Sequence, residues 1–144
     1  MNYIKVDGLD GLLSNLNKLS QSKAIKKGLT DACLRVEESA KNKCPIDTGD
    51  LQTSITHSVE DNIGVVGSNK EYAPYVEFGT GLYAVNGNGR KTPWAYEDPK
   101  TGETIWTAGQ HPQPFLHPAL EENAEAIQKD IINAIRDEIK EVFQ

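Results

Sequence analysis

In this 144-residue chain, catalytic chemistry would first be sought at Asp47-Thr48-Gly49. In aspartic proteases this triplet supplies the paired carboxylates that share a proton. With one triplet per chain, two chains would have to meet to form the pair. The surroundings oppose that reading. The triplet follows a helical pattern and Pro45 instead of an apolar strand, and Asp50 sets a second charge where a small neutral residue is expected. No later segment offers the apolar strand with glycine that closes such a site. A helix start explains the same residues: Asp47 accepts from the backbone, Asp50 stands three places on as in a capping box, and Leu51 begins a buried face. A small hydrolase centred on Asp47 is therefore the alternative, not the main reading.

His57, His111 and His117, with Cys33 or Cys44 as a further ligand, invite a metal reading. Their spacing fits no zinc pattern, and His111 and His117 straddle two prolines. Both cysteines fall on or beside an apolar helix face, where a thiol behaves as a small hydrophobe. On one helix they would lie about 16 Å apart. A disulfide tolerates roughly 7 Å, so free thiols made in a cytoplasm are expected. Neither Gly79 with Gly81 nor Gly87 with Gly89 follows a strand and opens a helix with a lysine in place, so no phosphate cradle is expected. Metal and cofactor are both expected to be absent. Lys18, Lys23, Lys26 and Lys27 form a modest basic cluster; a solvated face explains it, and a weak DNA-associated module is the competing reading.

Composition narrows the classes further. Net charge is −6, from 21 acidic and 15 basic side chains, which opposes a tight grip on phosphates. The start, from Met1 to Asp7, shows no basic patch followed by an apolar run, so no secretion signal is expected. No apolar run approaches the roughly 18 residues that a membrane span requires. The length suits one domain over residues 1–144, and a hydrophobic fraction of only 38% suggests segments that order against a partner.

The elements that would carry these residues read as follows. Residues 2 to 6 suggest a short strand. Leu9, Leu12, Leu13, Leu16 and Leu19 predict a short amphipathic helix. Ile25, Leu29, Ala32, Cys33, Val36 and Ala40 predict a longer one from about Ser22 to Lys43, stopped by Pro45. Ser54 to Glu60 and Asn62 to Ser68 predict a hairpin turning at Asp61-Asn62. Tyr72 to Phe78 reads as one or two helical turns ending at Gly79, with Tyr72, Tyr75, Val76 and Phe78 on the inward side. Glu77 would lie at a rim or pair with Arg90 or Lys91. From Leu82 to Gln113 no helical period exists, and a second hairpin sets Trp94-Ala95-Tyr96 against Thr104-Ile105-Trp106. Tyr83, Trp94, Tyr96 and Trp106 all sit in this arm, as rings waiting for another subunit would. Pro118 opens a last helix with the stripe Leu120, Ala124, Ile127, Ile131, Ile135 and Ile139 or Val142.

Three blocks in order resemble a known family. They are Cys44-Pro45 with Asp47-Thr48-Gly49-Asp50-Leu51 and Ser54-Ile55, then Tyr72 to Thr80, then Pro112 to Ala119. The pattern resembles the small neck or tail-completion proteins of long-tailed bacteriophages, the family of the tenth gene product of the lambdoid phage HK-ninety-seven. It covers most of residues 20 to 143 and is weakest between Leu82 and Gln110. The resemblance implies an α+β fold, with a small antiparallel sheet against a long central helix and a long C-terminal helix, plus the extended arm. It implies a non-enzymatic virion protein, assembled in the host cytoplasm and placed at the head–tail junction or the top of the tail. The expected partners are copies of itself in a ring, six being one option, with head-closure or connector proteins and tail-terminator or tail-tube proteins. DNA would pass through the lumen without specific binding, and no membrane is involved. Pro45, Asp47, Thr48, Gly49, Leu51, Tyr72, Tyr75, Glu77, Phe78, Gly79, Pro114 and Phe115 would define the fold, while Tyr83, Trp94, Tyr96 and Trp106 would make subunit contacts.

Overall fold

A computed structural model of the chain describes residues 7–21 and 23–143. The strand expected over residues 2 to 6 lies outside the described residues. In order, the elements are α1 (Leu9–Ser20), α2 (Lys23–Lys43), α3 (Asp50–Ser54), β1 (Ile55–Glu60), β2 (Ile63–Ser68) and α4 (Ala73–Phe78). A 3₁₀ turn (Gly81–Tyr83), β3 (Trp94–Glu97), β4 (Thr104–Thr107), α5 (Leu116–Glu122) and α6 (Ala124–Val142) follow. The fold is α+β, with two separate antiparallel sheets of two strands each, β1–β2 and β3–β4.

Helix α2 is the axis of the body. Ala32, Cys33, Val36 and Ala40 recur at helical spacing and are all buried, and β1, α5 and α6 pack around that face. Gly28 sets the closest approach of α2 to α6: a Cβ there would stand 2.8 Å from the Cβ of Ala134. A mid-helix glycine costs about 1 kcal/mol against alanine, and the close crossing offsets it. The core joins Val36, Ala40, Cys44, Leu51, Ile55, Ala73, Phe115 and Ala119. Among the described residues, only Phe115 and Ile55 are large and wholly enclosed, each contributing about 2 kcal/mol of burial.

The β1–β2 hairpin turns through Asp61 and Asn62, whose φ angles of 49° and 61° belong to the turn that matches strand twist. Its register runs from Ile55↔Ser68 to Glu60↔Ile63. Gly64 faces α2, where any Cβ would press on the Sγ of Cys33. Ile63 and Val65 point the other way and stand 63% and 55% exposed.

Several expectations need correcting. Asp47 caps nothing: Gly49, at φ 86°, occupies the cap position of α3, and the hydroxyl of Thr48 accepts from the Asp50 amide. The Asp47 side chain instead points outward and pairs with Lys100. Pro118 does not open the last helix, which begins at Leu116; a proline in the first turn forfeits no helical bond. That helix is also two helices, parted at Asn123, whose side-chain amide donates to the Ala119 carbonyl. Helix α1 forms as expected, yet Leu9, Leu12, Leu13 and Leu16 remain about half exposed. Among the described residues, no helix is long and apolar enough to cross a membrane.

Candidate interaction surface

Chemistry concentrates at the root of the arm. Glu77 sits in α4 between Val76 and Phe78, and only 6% of it is exposed. It neither lies at a rim nor meets Arg90 or Lys91. Its carboxylate accepts from the backbone N–H groups of Phe115 (2.8 Å), Leu116 (3.0 Å) and His117 (2.9 Å). These are the first amides of α5, which have no partner inside their own helix. A negative group is favourable there, and charge strengthens each bond. Glu77 thus ties the segment entering the arm to the segment leaving it. Because it turns inward, its neighbours turn outward: Tyr72, Tyr75 and Phe78 are 44%, 60% and 48% exposed, contrary to the expected inward face.

Backbone pairing completes this root. Gln113 donates to Val76, Thr80 to Gln110, and Leu82 to Ala108. Gly79, Gly81 and Gly109 have positive φ angles, and side chains there would collide with the opposing backbone. Beyond the root, Tyr83 packs on His111 with ring centroids 3.8 Å apart, and the Arg90 guanidinium lies 5.5 Å from the ring centre of Trp94. The β3–β4 hairpin pairs Trp94↔Thr107, Ala95↔Trp106 and Tyr96↔Ile105. Alternation places Trp94, Tyr96 and Ile105 on one face and Trp106 on the other. Trp94 is half-buried, Tyr83 and Tyr96 are partly exposed, and Trp106 is 74% exposed. The arm therefore holds its four rings in a set arrangement without gathering them into one patch.

Of the remaining motif residues, Pro45 is half-buried, Leu51 and Phe115 are core, and Pro114 is exposed beside the root. Sequence reasoning missed the groove behind α4. It measures about 650 Å³, with Leu29, Cys33 and Val36 of α2 as its floor, β2 on one side and Ile127 and Ile131 of α6 on the other. Glycines in β2 were the available signal, since they mark where a strand carries no cover of its own.

Several other titratable groups have structural roles. Glu37 bridges Lys41 and His57, tying α2 to β1; the lysine first and the histidine second hold its carboxyl below the usual carboxylate range. Burial pushes the thiols of Cys33 and Cys44 up, making them poor nucleophiles. Asp47 is a single, well-exposed carboxylate, whereas proton sharing requires two carboxylates in contact. Lys27 pairs with Asp31, one turn along α2. No group of three or more metal-ligating side chains exists among the described residues.

Comparison with known proteins supplies the frame. Searches of curated proteins and of solved structures returned no match. A family model described as "Bacteriophage HK97-gp10, putative tail-component" matches residues 10–79. The match runs through α1, α2, the first hairpin and α4, and it stops at Gly79, where the arm begins. Residues 10–79, which hold that frame with its Asp-Thr-Gly and Tyr-to-Gly blocks, are thus similar to the HK97-gp10-like family of phage tail components.

Proposed function

We propose that this tail component is a non-enzymatic ring subunit that completes the tail and joins it to the head. Copies of the chain form the ring, and its faces meet the head-closure or connector protein and a tail-terminator or tail-tube protein. One observation carries the reading: Trp106 is 74% exposed on an arm whose root is fixed by Glu77 and paired backbone. A large ring held in water on a rigid support loses little freedom when a partner covers it. The net charge of −6 suits a wall past which DNA moves without adhering. Tyr83, Trp94 and Tyr96 serve the same contact by shaping and stiffening the arm.

The test is reconstitution. Purified protein mixed with tailless heads and separate tails is expected to yield joined particles by negative-stain microscopy, with the protein as a ring at the junction. Trp106→Ser is expected to lower the yield at least about tenfold, the loss of roughly 1.4 kcal/mol of contact, while the circular dichroism spectrum stays unchanged. A native protein that stays monomeric and joins neither heads nor tails would defeat the proposal.

A further inference from the structure

The sheet of β1 and β2 is two strands wide, and the apolar face of α2 extends past it. The uncovered strip is the groove of about 650 Å³, bounded by β2 on one side and α6 on the other. A strand laid beside β2 would lie over that strip and turn every second side chain down into it.

The backbone of β2 is ready for such a strand. In a hairpin closed by two residues, the closing pair Glu60↔Ile63 exchanges both bonds, as do Ser58↔Val65 and Thr56↔Gly67. The N–H and C=O groups of Gly64, Val66 and Ser68 therefore face away from β1. None of them bonds to other backbone among the described residues. Edges are normally blunted by charge or proline, yet Ile63-Gly64-Val65-Val66-Gly67-Ser68 contains neither.

A matching edge lies in the arm. The Asp98 amide donates to the Glu103 carbonyl, so Tyr96↔Ile105 is a bonded pair and the backbone groups of Thr104 and Trp106 face outward. They too have no backbone partner among the described residues, and Thr104-Ile105-Trp106-Thr107 is uncharged. Two-stranded sheets are marginal alone and gain from a third strand. Within one chain, the glycine crossing at Gly81 and Gly109 holds the arm in its own sheet, apart from β2.

We propose that β4 of one copy adds to the free edge of β2 in a neighbouring copy and seats Trp106 in that neighbour's groove. This deepens the ring reading above by naming its contact. Charge selects the direction. Antiparallel addition brings Glu103 to the Ser68 end, beside Lys70, which has no ion pair among the described residues. Parallel addition would press Glu103 against Glu60 and Asp61. Glu71 and His117 also border the groove, and Glu97 shares the face of Trp106, so Lys70 and Glu103 form the pair to test.

The test places a photo-reactive benzoylphenylalanine at position 106 of the full chain and mixes isotopically heavy and light copies. Heavy-to-light cross-links from position 106 to β2 and the groove are expected. Cross-links only within one chain, or to surfaces away from the groove, overturn the contact. In sedimentation, Lys70→Glu or Glu103→Lys is expected to weaken self-association about threefold, the usual worth of an exposed pair. Both changes in one chain are expected to restore it; single changes without effect, or a double change without rescue, overturn it. Heads and tails that join while the cross-links fall elsewhere would keep the neck role and remove this contact. The expected cross-links in a protein that joins nothing would do the reverse.

Discussion

Replacing Glu77 by Ala would leave the amides of Phe115, Leu116 and His117 facing a buried gap. An expected loss of about 3 kcal/mol follows from stranding buried donors, read as a lower urea midpoint. Glu77→Gln keeps one acceptor oxygen and is expected to lose roughly half of that. Glu37 supplies a pH dependence. Unfolded, its carboxyl titrates at the ordinary value of 4.5; folded, Lys41 and His57 hold it lower. A depressed folded value gives stability that is complete above the unfolded value and disappears as acid carries the pH down through the folded one. Denaturation midpoints taken from pH 7 to pH 3 are expected to fall below about pH 4.5, and Glu37→Gln is expected to flatten that fall. Neither role was legible in the residue itself. A glutamate between apolar neighbours announces burial or a rim, but its partners here are amides nearly forty positions away, which no local spacing encodes.

At the scale of elements, periodicity served well wherever one helix or hairpin satisfies itself. The stripe of α2, the Asp61-Asn62 turn and the second hairpin across Thr101-Gly102 follow from spacing and turn chemistry. It erred where side chains compete with the backbone. Asn123 offers its amide to Ala119 and divides α5 from α6, although the apolar stripe runs straight across. At α1 it gave the helix while four leucines stay about half exposed, because an amphipathic pattern states that a face is apolar without naming what covers it. The α2–α6 crossing is open to direct test. Gly28→Val would drive a side chain into Ala134 and Ile131, and a thermal melt is expected to register a loss of about 2 kcal/mol from the forced separation. The same exchange at Gly67, where a Cβ meets nothing nearby, is expected to cost less than about 1 kcal/mol.

For the whole molecule, an excess of six negative charges predicts weak contact with duplex DNA. Mobility-shift measurements at physiological salt are expected to show no retained complex, and Lys23→Ala with Lys26→Ala is expected to leave that result unchanged. A core that sets the small residues Ala40, Cys44, Ala73 and Ala119 around Phe115 and Ile55 gives the isolated chain modest stability, so the proposed assembly is expected to raise its melting temperature in proportion to the neighbours gained. The doubly tied root of the arm has a separate implication. Thr80 and Gln110 are already backbone neighbours, so a loop of almost any length hung between them costs the body little. An affinity tag spliced at Asn86–Asn88, or a foreign peptide replacing the hairpin tip, should fold as a cartridge on an unchanged socket.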